Sequence, residues 1–216
     1  PYTSLMDAEI KKGNLVKKYD VIILPSDSTG MITGDIPPGS RYERNISEVP
    51  PEFRSGIGKE GVEALKAFVE KGGTLVTLGE ACSFAIDKFG LSVRDTVDDL
   101  SSKEFFCPGS TLKATFDNNH PLAYGMPSEG LVLFSSSLAF VITPGQHNED
   151  YETVVRYIDS DILQSGWLIG EEHLSKKAAM VSAKHGKGQV VLIGIRAQHR
   201  CQTHGTFKLL FNALIR

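Results

Sequence analysis

Several residues in this chain have types and spacings that could do chemistry. Cys82, in the run Leu78-Gly-Glu-Ala-Cys-Ser-Phe84, stands where an apolar strand hands over to a helix, and His199 follows the last apolar run. A thiolate at such a turn, ionised by a neighbouring imidazole and a helix N-terminus, is the nucleophile of acyl-transfer chemistry. The plain alternative is a packed thiol and an unrelated surface imidazole. Arg196, His199, Arg200 and His204 gather donors just ahead of a C-terminal helix, a pattern suited to a carboxylate or phosphate; salt bridges to acidic loops would explain the same residues. Glu80, at the end of a strand, either faces a ligand crevice or caps the next helix. His147-Asn-Glu-Asp150 keeps a metal-ligand spacing with Asp in place of Glu, but it lies in a Gly-, Gln- and Asn-rich turn, so no metal site is expected. Trp167 and Phe134 read as core or edge packing rather than a sugar-stacking platform, and His120 and His185 as turn residues.

Composition narrows the classes. With 23 Lys and Arg against 26 Asp and Glu, the net charge of -3 gives no footprint for a phosphate backbone, so no nucleic-acid partner is expected. The 216 residues, 41% hydrophobic and 23% charged, make an ordinary folded chain able to bury roughly 70% of its unfolded surface. The longest mostly apolar stretch, residues 131–142, carries three serines and is shorter than the ~20 residues of a membrane-spanning helix. Cys82, Cys107 and Cys201 form no C-x-x-C pair, which argues against a disulfide framework or zinc knuckle. The chain opens at Pro1 with neither an initiator Met nor an apolar leader, so a processed product or a fragment is expected. Asn45-Ile46-Ser47 matches a glycosylation sequon, a triplet frequent by chance.

The elements that must position these residues follow from periodicity. Residues 19–24 form a β-branched run closed by Pro25, and residues 74–78 a second, both in the form of strands buried on two faces. Between them residues 26–55 read as a long surface excursion, interrupted by Pro37-Pro38 and Pro50-Pro51. Val62, Leu65, Phe68 and Val69 then recur at helical spacing up to Gly72-Gly73. A second helix is expected over 81–89, ending at Gly90. Short strands follow over 110–116, 130–134, 138–143, 152–158, 167–170 and 178–183, and Gly186-Lys187-Gly188 links the last of these to a returning core strand over 189–195. Phe207, Leu210, Phe211 and Leu214 mark a terminal helix capped by Thr203 or Thr206.

This order of elements resembles the class I glutamine amidotransferase-like fold, which is flavodoxin-like. More closely, Arg54-Ser-Gly-Ile-Gly58, Phe68-Val-Glu-Lys-Gly-Gly-Thr-Leu-Val76, Asn119-His-Pro-Leu-Ala-Tyr-Gly-Met-Pro127, Ser165-Gly-Trp-Leu168 and Gln202-Thr-His-Gly-Thr-Phe-Lys-Leu-Leu210 are similar to the amidotransferase-like domain found C-terminal to bacterial zinc carboxypeptidases. A more distant similarity runs to trehalose-utilisation proteins and the trimerisation domain of some β-galactosidases. The resemblance implies a parallel sheet with helices on both faces, one domain over 1–216 with a β-rich insertion at about 105–185, and a first strand and helix that this chain lacks. It further implies a carboxypeptidase catalytic domain of the same parent chain as partner, zinc only in that domain, and a secreted or periplasmic setting; a homo-oligomer stays open.

The amidotransferases of this fold pair a Cys on the turn with a later His and an acidic residue two places on. Cys82 lies one residue beyond their G-x-C spacing, and after His199 position 201 is Cys instead of an acid, so the triad is incomplete. The leading expectation is a catalytically silent accessory domain acting in docking or substrate access. The alternatives are a small-ligand or carbohydrate-binding module, and a divergent cysteine hydrolase or amidotransferase using Cys82 with His199 or His204.

Overall fold

The computed structural model describes residues 2–36, 38, 39, 43, 48, 50, 56–145 and 148–215. Its centre is parallel. Strand β1 (Val21–Leu24) pairs with β2 (Thr74–Leu78), and β10 (Gly188–Ile193) pairs with the other side of β2, so that Ile23, Val76 and Val191 fall in one row. Every residue of β2 except Leu78 is buried, which is why its sequence is an unbroken Thr-Leu-Val-Thr-Leu run instead of an alternation.

Two short elements precede and follow β1: helix α1 (Asp7–Lys11), and α2 (Thr29–Thr33), capped by the Ser28 hydroxyl accepting from the Met31 N–H. The connection then leads to α3 (Gly58–Glu70); much of the 26–55 excursion, including the sequon, lies outside the described residues. All four residues that signalled α3 are buried, and each full burial contributes ~1.5–3 kcal/mol. Helix α4 (Ala81–Phe89) follows β2 and stops at Gly90. Both helices join β1, β2, β9 and β10 in one apolar cluster that includes Leu65, Phe68, Leu75, Phe84, Val190 and Leu192.

Beyond α4 the chain pairs antiparallel. Strands β3 (Val93–Asp95), β4 (Ser110–Phe116), β5 (Glu129–Phe134), β6 (Phe140–Ile142), β7 (Tyr151–Tyr157), β8 (Leu163–Ser165) and β9 (Ala178–His185) extend the sheet in the order β1-β2-β10-β9-β7-β4-β5. Strand β6 bridges β9 and β3, and β8 lies on β4. The expected parallel sheet is present at the centre, where β1, β2 and β10 pair parallel, and the β-rich stretch continues the same sheet antiparallel through the β9–β10 hairpin. The reason is visible in β4, where Ser-Thr-Leu-Lys-Ala-Thr-Phe alternates buried and half-buried residues, the pattern of a strand with one covered face. The opposite face of the central strands, with Val76, Val191 and Ile193, belongs to a second cluster holding Leu112, Phe134, Tyr157 and Leu209 of the terminal helix α5 (Phe207–Asn212).

Two local expectations change. Residues 167–170 are not a strand; Ile169 makes a single bridge to Phe106, and the paired segment is β8. Neither Thr203 nor Thr206 caps a helix, because both hydroxyls donate back to the Ala197 carbonyl, at 3.1 and 2.8 Å.

Candidate functional site

The carboxyl ends of the three parallel strands meet at a knot of short contacts. The Gly79 N–H donates to the Ile193 carbonyl at 2.9 Å, and the Glu80 N–H to the Ser26 hydroxyl at 3.2 Å, joining the exits of β2, β10 and β1. Gly79 is the left-handed residue of this strand-to-helix turn, with φ +51°, and a Cβ on it would lie 2.6 Å from Ser26 Oγ and 3.5 Å from Arg196 Nη1. In a nucleophile elbow the reactive side chain leaves from the strained residue of such a turn. Here that residue has no side chain, and Ser26 fills its place.

Cys82 sits further on, inside the first turn of α4, and is fully buried. Its Sγ donates to the Thr77 carbonyl at 3.5 Å and accepts from the Thr77 hydroxyl at 3.3 Å. Burial pushes this thiol up to about 12, so it is protonated at neutral pH. Among the described residues neither His199 nor His204 shares a hydrogen bond with it. The backbone of His199 is tied to the Thr203 hydroxyl at 3.1 Å, and the ring of His204 to the Cys201 carbonyl at 2.6 Å while stacking on Phe207.

Arg196 turns its Nε to the Ser135 carbonyl at 2.7 Å, whereas Arg200 is exposed on a tight turn with φ +48°, closed by the Gln202 N–H on the His199 carbonyl at 2.8 Å. Helix α5 has six residues and follows a single 3-10 turn, too short to build an anion site at its start.

Beside this knot opens a cleft of about 330 Å³ lined by Glu80, Ser83, Asp95, Asp98, Phe106 and Ser136, with Cys107, Phe134 and Ser137 deeper in its walls. Of the ligand-binding candidates named from the sequence, Glu80 alone lines it. Asp95 holds the far wall: its Oδ1 accepts from the Val97 and Ala139 N–H groups at 3.2 and 3.1 Å, while burial, aided by Asp98, raises its carboxyl above the usual range. Burial likewise raises the Cys107 thiol. Sequence reasoning missed Asp95, Asp98 and the serine loop, which lie in Val93-Arg-Asp-Thr-Val-Asp-Asp99 and Phe134-Ser-Ser-Ser137. Phe106 of the cleft wall meets Trp167 edge to face at 6.1 Å, and Trp167, read from the sequence as core or edge packing, is 62% exposed. Phe134 is buried, as core packing requires.

Among the described residues no group of three or more His, Cys, Asp or Glu side chains is arranged to hold a metal ion; His147 lies outside them. His120 accepts from the Leu122 N–H at 3.1 Å, capping a 3-10 turn (Pro121–Ala123).

No family model matches the sequence, and no curated protein matches it. Similar solved structures exist. A cytoplasmic protein from Salmonella typhimurium superposes with TM-score 0.54 at 13% identity over 99% of this chain and 75% of its own. A protein assigned as a GMP synthase component, from Thermoplasma acidophilum, gives TM-score 0.52 at 10% identity over 96% of this chain and 76% of its own. A ThuA-like protein from Bacteroides uniformis aligns over 97% of this chain and 71% of its own at 16% identity, with a TM-score of 0.46. None of the three brings a link to a carboxypeptidase. At these identities the likeness is one of fold.

Proposed function

We propose that this chain is a ligand-binding module on an amidotransferase-like fold, working without a cysteine nucleophile. The observation that carries the reading is the cleft at the carboxyl end of β2, where Glu80, Asp95 and Asp98 converge with the serine loop. Among the described residues its lining holds three carboxylates and no Lys, Arg or His, which favours a neutral or cationic ligand. This reading differs from the anion expected from the Arg196 cluster; Arg196 Nε is engaged with the serine loop. Chemistry at Cys82 is disfavoured by its burial and by Gly79 at the elbow. A thermal-shift screen tests this: neutral or cationic small molecules should raise the midpoint, and Asp98→Asn should weaken the effect. Stabilisation by phosphate or carboxylates alone, unchanged in Asp98→Asn, would refute it.

A second reading keeps the sequence resemblance: an accessory domain of a zinc carboxypeptidase, with zinc held by that other domain. In its favour stands β1, which among the described residues is terminal in the strand order, with Ile23 39% exposed, an edge suited to being covered by another element. Reading the coding sequence upstream of the Pro1 codon decides it. A domain bearing His-x-x-Glu and a later His supports the role, and a start codon there removes it.

A further inference from the structure

Trp167 is held in an exposed position by its own backbone. Its N–H donates to the Ser110 hydroxyl at 2.9 Å and its carbonyl accepts from the same hydroxyl at 2.8 Å, a two-way clamp onto the first residue of β4. The clamp is close-fitting: Gly166 runs at φ +109°, and a Cβ there would lie 2.5 Å from Ser110 Oγ. Two residues on, Ile169 and Phe106 exchange backbone hydrogen bonds at 2.9 and 3.1 Å, so both aromatic residues are fixed by backbone contacts. A loop that merely shields the core would turn its indole inward. This one keeps a large ring out of the apolar core and braces it against Phe106, itself 37% exposed and part of the cleft wall.

Building on the ligand-binding reading above, we infer that the cleft takes a carbohydrate, with the Trp167 ring as the platform for one sugar face. A pyranose offers a C–H face to an aromatic ring and hydroxyls around its rim. The carboxylates of Glu80 and Asp98 accept from such hydroxyls, and the hydroxyls of Ser83 and Ser136 both donate and accept. An organic cation would use the acceptors and the rings but leave the donors idle. The perpendicular pair of rings, with an interplanar angle of 89°, also makes an open platform instead of a cage around a cation.

Trp167 is the only tryptophan, so intrinsic fluorescence reads this position alone. The chain is titrated with lactose, cellobiose, xylobiose and trehalose, with choline and spermidine as cationic probes, while emission and thermal midpoint are followed. The expected result is a saturable emission change with at least one disaccharide. By the accompanying midpoint shift, Trp167→Ala or Asp98→Asn then weakens binding about tenfold or more. Trp167→Tyr retains part of it, and Tyr124→Ala, removing an aromatic 76% exposed elsewhere, leaves it unchanged. If no saccharide acts but choline or spermidine stabilises the chain through Asp98, the carbohydrate inference falls and the cleft reading stands. If no probe acts, both fall.

Discussion

The Nε of Arg196 donates to the Ser135 carbonyl at 2.7 Å, while the Arg196 N–H donates to the Leu133 carbonyl at 3.1 Å, so a single residue three positions past β10 fixes the loop that leaves β5. Arg196 is therefore a positioning residue for Ser136 and Ser137 at the cleft. Arg196→Met should cost ~1–3 kcal/mol in urea unfolding and speed amide exchange at residues 135–138. Unchanged exchange there would show that the loop holds itself.

Gly79 and Ser26 should be coupled. Gly79→Ala introduces a side chain at φ +51° against the Ser26 hydroxyl and is expected to destabilise by ~1–3 kcal/mol. Pairing it with Ser26→Gly should recover part of the loss in a double-mutant cycle, leaving only the backbone cost. Strict additivity would mean the two positions do not touch.

Thiol labelling should rank the cysteines by exposure. Native protein treated with iodoacetamide at neutral pH should be alkylated at exposed Cys201, with buried Cys82 and Cys107 reacting only after unfolding. Peptide mass spectrometry gives the order. Selective labelling of native Cys82 would restore the nucleophile hypothesis.

Asp95 gives a pH dependence of definite sign. Its folded carboxyl titrates above the unfolded value of about 3.9, so its contribution is complete below that pH and is lost as pH rises through the folded pKa. An Asn at this position keeps an oxygen acceptor for the Val97 and Ala139 N–H groups without the buried charge. Asp95→Asn should then match or exceed the parent in stability at neutral pH and lose that advantage in acid. An advantage confined to acid would reverse the assignment.

Ser110→Ala removes both halves of the clamp on Trp167. The expected cost is ~1–3 kcal/mol, with a fall in the steady-state anisotropy of the indole as the ring gains freedom. Anisotropy equal to the parent's would mean that the bridge between Phe106 and Ile169 alone holds the loop.

Much of the scaffold was legible because its signals are local. The buried run of β2, the stripe Val62-Leu65-Phe68-Val69 and the stop at Gly90 each depend on neighbours in sequence, and they fell where expected. The cleft was not legible, because it joins residues brought together by pairing. Asp95 leaves a strand of three residues too short for any periodicity, and the Ser135–Ser137 run reads as a break in an apolar stretch until Arg196 binds it. For Trp167 the sequence left core and edge packing open, because hydrophobicity predicts burial only on average, while a two-way backbone clamp can hold a single ring in water.

The strand at the join of the two pairing modes is also the last of the ten to leave the ribosome. Until Gly188–Ile193 emerges, β2 and β9 each carry an open edge, and the parallel and antiparallel parts have nothing between them. Loss of this segment by premature termination would expose two apolar edges at once and favour aggregation over a smaller folded product.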